Sequence, residues 1–159
     1  MLQIYYNSYK ICTFAFENNL YMKIGVITAM SLEHRQIALL LEDKKEFNEG
    51  PFKYIEGKIN NNTIMLMKCG IGKVNAASGT TDLIHRFAPD CIISTGVAGG
   101  IDKCLKVMDV VASNNIVYHD VWCGEGNMYG QIQGLPARFE GNATLFDCAM
   151  SLDTPTAIH

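Results

Sequence analysis

The sequence predicts an α/β fold with a mixed, mostly parallel central sheet, on the strength of two observations. First, short apolar runs that stop at small residues recur at residues 23–28, 65–72 and 91–100, and such runs are typical of buried parallel strands. Second, segments with helical spacing of apolar residues lie between them, and alternating strands and helices define the α/β class. Ligands of open α/β sheets bind beyond the carboxyl ends of the strands. We therefore predict a binding site at the edge of the sheet where these runs stop at small residues.

The first half of the chain predicts three strands and one helix. Residues 22–28 form the first strand, and Ser31 is a plausible cap for a helix over residues 33–41, whose apolar residues have i, i+3, i+4 spacing. Residues 52–59 and 63–68 are predicted to form a hairpin. Three asparagines separate its strands, and Asn tolerates the left-handed backbone of a tight turn.

The second half predicts a long helix, further strands and a glycine-rich loop. The helix over residues 73–87 carries an apolar stripe and is closed by Pro89. After it we predict strands at 91–94, 107–112 and 115–118, a loop over 124–139 and a short helix over 143–152.

Composition excludes several classes of protein. A chain of 159 residues with 48% hydrophobic and 18% charged residues is large enough for one domain with a real core. Its net charge of −3, without any run of Lys or Arg, argues against nucleic acid as a partner. The longest apolar runs are too short or too polar to span a bilayer, so no membrane partner is expected. Six cysteines lack CxxC spacing, which predicts a reducing cytoplasm and no structural zinc.

Both ends of the chain differ from its middle. Residues 1–21 are predicted to be an extension that precedes a natural start at Met22 and lies outside the core; an N-terminal edge strand is the alternative. Residues 151–159 stop where an α/β fold should begin its next strand. They predict either a disordered tail or a truncated chain.

Five segments occur in an order and at a spacing that identify a family. They are residues 22–33, 68–74, 94–100, 105–111 and 118–120. Together they resemble the 5′-methylthioadenosine/S-adenosylhomocysteine nucleosidases, members of the purine nucleoside phosphorylase superfamily. The resemblance covers residues 22–159 and implies a three-layer α/β fold, usually a homodimer. It also implies a small-molecule nucleoside substrate, no cofactor, no metal, and release of adenine in methionine salvage.

The resemblance assigns five candidate site residues within one chain. Cleavage of an N-glycosidic bond needs a carboxylate that positions water and an acid that protonates the purine. Glu33 matches the family's water-activating carboxylate, although an isolated first-turn Glu is more commonly a solvated residue. Met30 matches a sugar contact, with core packing as its alternative. Val97, Ala98 and Gly99 would line the purine and ribose through their backbone.

Four further residues lie in the matching segments. Ile71 corresponds to a residue that the family offers across the dimer interface, with a simple loop hydrophobe as the alternative. Lys73 is interpreted as a solvated residue at a helix start. His119 and Asp120 match a segment near the rim and are interpreted as structural.

The resemblance also implies what residues 22–159 lack. The family's purine-protonating acid, its purine-stacking Phe and its ribose-binding Met-Glu pair match nothing before His159. The chain is thus expected to be the N-terminal portion of a nucleosidase, inactive or impaired, since loss of an acid/base group costs ~10²–10⁴-fold in rate. Two alternatives stay open. One is a nucleoside phosphorylase, for which only Arg35 lies near the first strand end; the other is a non-catalytic nucleoside-binding remnant.

Overall fold

The computed structural model describes residues 21–153 and 157–159, and the first 20 residues of the predicted extension, 1–21, lie outside them. One five-stranded sheet has the strand order β2-β3-β4-β1-β5, and β6 and β7 form a separate pair. The elements are β1 (Lys23–Thr28), α1 (Ser31–Ala38), β2 (Glu42–Glu49), β3 (Phe52–Ile59), β4 (Asn62–Lys68), α2 (Lys73–Phe87), β5 (Cys91–Ser94), β6 (Asn115–Ile116), β7 (Phe139–Glu140) and α3 (Ala143–Met150).

The central strand β1 runs parallel to both of its neighbours, β4 and β5. Val26 pairs with Leu66 on one side and with Ile93 on the other. The carboxyl ends of all three strands therefore meet at one edge of the sheet. The predicted mixed α/β sheet is confirmed, and the three apolar runs that stop at small residues do meet at that edge.

Strand β2 was not predicted from the sequence. It pairs antiparallel with β3, and β3 pairs antiparallel with β4. Among the described strands of this sheet, antiparallel pairings therefore equal the parallel ones in number. The β2 sequence EDKKEFNE is almost entirely charged and has no apolar alternation to identify it. It lies at the sheet edge, where charged residues oppose unwanted pairing.

Two apolar cores lie on opposite faces of the sheet, because successive strand residues point to opposite sides. Ile37 and Ala38 of α1 pack on the face that includes Val26 and Leu66. On the other face, α2 buries Leu83 completely among residues such as Met67 and Tyr54. Helix, sheet and helix form the three predicted layers.

Most boundaries follow the sequence, with two corrections in the first half. α2 spans the predicted residues, and its C-cap Ala88 adopts a left-handed φ of 45° before Pro89. Asn60 adopts the left-handed turn conformation, with φ 53°. However, α1 ends at Ala38, three residues before the predicted end, and Ser31 is not its cap, because the N-cap position belongs to Met30.

The predicted strand over residues 107–112 is wrong. Its only described β-pairing is an isolated parallel bridge between Val110 and Ile158. Ala157–His159 form hydrogen bonds with Val110–Ala112, so these three residues are not the disordered tail that was one prediction. The strand over 115–118 is reduced to Asn115–Ile116, and the last helix ends at Met150.

A buried tyrosine connects β3 to α2, and its removal gives a stability prediction. The side chain of Tyr54 is 1% exposed, and its hydroxyl donates to the Asp82 carboxylate, which also accepts from Arg86 Nε at 2.7 Å. Tyr54→Phe should lower the free energy of unfolding by about 1–2 kcal/mol, because a hydrogen bond to a charged group is lost while Asp82 stays partly solvated. Urea denaturation measures this loss. Tyr118→Phe, at a half-buried tyrosine without a described hydroxyl partner, should change it by less; equal losses would contradict the assignment.

Candidate active site

Glu33 is a buried carboxylate at the third position of α1, with 7% of the residue exposed. Its Oε2 accepts the backbone N–H groups of Ala29 at 3.1 Å and Met30 at 2.9 Å. A glutamate at this position commonly reaches back to the N–H of the N-cap residue. The carboxylate is thus bound to the turn that follows β1.

The other carboxylate oxygen of Glu33 faces the turn that follows β5. Its Oε1 accepts the N–H of Val97 at 2.9 Å. A Cβ added to Gly96 would lie 2.6 Å from that Oε1, closer than real Cβ atoms approach. Only glycine at position 96 lets the carboxylate lie against this turn, and the Gly96 backbone packs directly on it.

The hydrogen bonds leave the two oxygens unequal. Each carboxylate oxygen offers about two acceptor sites. Among the residues that the structure describes, Oε2 of Glu33 has two N–H donors, while Oε1 has one, from Val97. Oε1 therefore keeps a site for one further donor, such as a water molecule. The three backbone donors fix the direction of that site.

The structure brings three of the predicted site residues together, namely Glu33, Met30 and Val97. Ala98 and Gly99 continue the same turn and are exposed. Ile71 lies on the turn after β4 with 71% of its surface exposed. The roles of these residues toward a ligand stay predictions.

Sequence reasoning missed the donors that hold Glu33, because they are main-chain groups of Ala29, Met30 and Val97. Every residue except proline has such a group, so residue type does not reveal it. The glycine at position 96 was the one feature of the sequence that could have indicated this close contact.

Lys73 is exposed at the start of α2, as the sequence predicted, and it also forms an ion pair that the sequence did not predict. Its Nζ lies 2.6 Å from both carboxylate oxygens of Asp120 and 5.5 Å from the centre of the Tyr118 ring. This ion pair joins the start of α2 to the 118–120 segment. It connects two of the motifs that carry the family resemblance, which supports the structural interpretation of Asp120.

The Lys73–Asp120 pair gives a pH prediction. The hydrogen bond from Lys73 holds the pKa of Asp120 below its ordinary value, and the charge of His119 acts in the same direction. A lowered folded-state pKa means that the stabilisation is present above the unfolded pKa, and it is lost as pH falls through the folded pKa. Lys73→Met should raise the pKa of Asp120, measured by carboxyl-carbon NMR titration. An unchanged titration would show that the pair does not form in solution.

No group of His, Cys, Asp and Glu in residues 21–153 and 157–159 could hold a metal ion. Over the same residues, no helix is long and apolar enough to cross a membrane.

Comparison with known proteins places the chain in a family. Residues 23–155 match the family model of the phosphorylase superfamily. The chain belongs to this superfamily.

Within the superfamily, the similar proteins are nucleosidases. A 5′-methylthioadenosine/S-adenosylhomocysteine nucleosidase of Geobacillus sp. strain WCH70 is 43% identical over 129 residues, which cover 80% of this chain and 56% of the relative. The nucleosidase of Neisseria meningitidis in complex with methylthio-immucillin-A has a TM-score of 0.78 and 36% identity, over 86% of this chain and 61% of that one. The Colwellia psychrerythraea enzyme in complex with adenine has a TM-score of 0.79 and 35% identity, over 87% and 61%.

These findings confirm the family resemblance that the five motifs predicted. The chain spans only about half the length of the curated relatives it matches.

Proposed function

We propose that this chain supplies the water-activating part of an N-glycosyl hydrolase that releases adenine from 5′-methylthioadenosine and S-adenosylhomocysteine. Two lines of support converge on it. Similar proteins are nucleosidases, and two of the similar structures are complexes with methylthio-immucillin-A and with adenine. The observation that carries the proposal is the buried Glu33 carboxylate, fixed between two strand ends with one acceptor site left on Oε1.

In the proposed reaction, Oε1 of Glu33 accepts a hydrogen bond from a water molecule and directs its oxygen toward the anomeric carbon. As the bond from ribose to adenine breaks, positive charge develops on the sugar. The water oxygen then bonds to the carbon, and its proton passes to Glu33. Positioned proton transfer of this kind is worth ~10²–10⁴-fold in rate. The described residues assign no acid for the departing purine, and the resemblance places that group beyond His159.

The sugar and base would lie along the turn that follows β5. Met30 would contact the sugar with its polarizable side chain, and the backbone of Val97, Ala98 and Gly99 would line the purine and ribose. The N–H of Val97 is already bonded to Glu33, and its side chain has no hydroxyl to hold phosphate. This favours water over phosphate as the nucleophile.

The domain organisation, the homodimer and the cytoplasmic location are also part of the proposal. Residues 22–159 are proposed as one phosphorylase-like domain, because the superfamily match spans nearly all of them.

Ile71 and Val74 are 71% and 80% exposed at the start of α2, as expected if a second copy covers them in a homodimer. Sedimentation velocity of Val74→Asp tests this, and an unchanged dimer would refute it. Cys69, Cys91, Cys104 and Cys123 are free thiols, which supports a cytoplasmic location.

The test compares two proteins in phosphate-free buffer and with added phosphate. One is the chain as given. The other, the extended chain, continues it with the C-terminal part of the Geobacillus relative, which is 43% identical. We expect the extended chain to release adenine from methylthioadenosine at a rate that does not depend on phosphate. An absolute requirement for phosphate would replace hydrolysis with phosphorolysis. A thermal shift with an adenosine analogue but no turnover in either protein would favour a non-catalytic binding role.

A further inference from the structure

A cavity lies on the opposite side of α1 from the turn that holds Glu33. It has a volume of about 390 Å³ and opens between α1 and the sheet face formed by β2, β3 and β4. This volume lies within the range of small-molecule sites. Its polar lining consists of Ser31, His34, Arg35, Glu46, Lys53 and Lys68, with Asn48 at the end of β2. Glu33 does not line it.

Three cations converge on this cavity. Lys53 and Lys68 stand directly opposite each other on the antiparallel strands β3 and β4, and like charges in that position destabilise a sheet. Arg35 faces them from α1. Lys68 Nζ lies 3.1 Å from Ser31 Oγ. Within the described ranges, none of the three has an ion-pair partner, which leaves their charges available to a ligand.

The remaining groups at the cavity define its net charge. Glu46 is the one carboxylate of the lining, so the cavity carries two net positive charges when His34 is neutral. Burial, followed by the charge of Lys68, lowers the pKa of His34, and Lys53 acts the same way while Glu46 opposes them. Nδ1 of His34 lies 3.5 Å from Thr28 Oγ1, so the ring contacts β1 as well as the cavity.

We propose that this cavity binds a small oxyanion, either inorganic phosphate or the phosphoryl group of a phosphate monoester, at a site separate from Glu33. The planar fork of Arg35 suits two phosphate oxygens, and the lysine ammonium groups serve as point charges. The Ser31 hydroxyl adds a neutral donor. A dianion balances the two net charges, which a single carboxylate does not. Because Arg35 belongs to this cavity, it is not a phosphate clamp beside Glu33, as the phosphorylase alternative requires.

Isothermal titration of the whole chain with inorganic phosphate, at constant ionic strength and pH 7.5, tests the proposal. We expect saturable binding of one ion per chain. Lys53→Met and Lys68→Met should each weaken it by about tenfold, and the double variant should abolish it. Lys45→Met removes the same charge from β2 outside the cavity lining and should have no effect. Ribose 5-phosphate is titrated in parallel; tighter binding than phosphate identifies an ester as the ligand, and weaker binding identifies the free ion.

Three results of the binding experiments would overturn the proposal. They are heat that does not saturate, a loss in Lys45→Met equal to that in the cavity variants, and displacement of phosphate by an adenosine analogue. In the unsubstituted chain, the ring resonances of His34 should shift on addition of phosphate; unmoved resonances also overturn it, even where a variant fails to fold. Since the titrations with phosphate and with ribose 5-phosphate contain no adenosine analogue, their result does not depend on whether the proposed hydrolysis is correct.

Discussion

Glu33→Gln in the extended chain is expected to lower the rate of adenine release by ~10²–10⁴-fold, because the amide cannot take a proton from water. The structure adds a second consequence. Glu33 accepts three backbone N–H groups on its two oxygens, and an amide NH₂ at either position would face a donor. The variant should therefore also lose roughly 1–3 kcal/mol of stability.

The two consequences of Glu33→Gln are measured separately. Initial rates at saturating substrate report the chemistry, and urea denaturation of the unextended chain reports the stability. Glu125→Gln makes the same change at an exposed loop residue and should alter neither quantity. Retained activity in Glu33→Gln would mean that another group positions the water.

Gly96→Ala is expected to lower the same rate by about 10²-fold through Glu33 rather than by any direct contact with the substrate. The new methyl would lie 2.6 Å from Oε1 and 2.9 Å from Cδ of Glu33, so the carboxylate must move. A misplacement of about 1 Å in an active site can cost this much. Steady-state kinetics should show the loss in kcat.

Gly99→Ala is the fold control for this substitution. It adds the same methyl to the same turn, where nothing lies within 4 Å of the new Cβ. Its urea midpoint should match that of the parent chain, whereas Gly96→Ala should be less stable. Full activity in Gly96→Ala would show that the carboxylate has room that the structure does not show.

The place where the carboxyl ends of the parallel strands meet could be predicted, because it depends on residue types that are visible in the sequence. Apolar runs that stop at small residues are typical of buried parallel strands, and three such runs, β1 among them, end at one edge of the sheet. β2 could not be predicted, since an edge strand of charged residues has no buried face to set an apolar alternation. Residues 107–112 have the apolar pattern of a strand without a ladder, since their one described β-pairing is the bridge between Val110 and Ile158.

The candidate site could be predicted in part. Glu33 was identified through the family motif, and its position against the turn after β5 agrees with that motif. Its hydrogen bonds could not be predicted, since all three donors are main-chain N–H groups brought together only by folding. The Lys73–Asp120 pair also depends on the fold, because 46 residues separate the two in sequence.

The most direct test of the account is a double-variant cycle of Glu33→Gln and Gly96→Ala in the extended chain, measured as the rate of adenine release. If position 96 acts only by holding the Glu33 carboxylate, adding Gly96→Ala to Glu33→Gln should lower the rate by no more than about twofold, because groups that act as a unit are non-additive. If the two losses multiply in full, the turn after β5 and the carboxylate contribute independently, and the central claim is wrong.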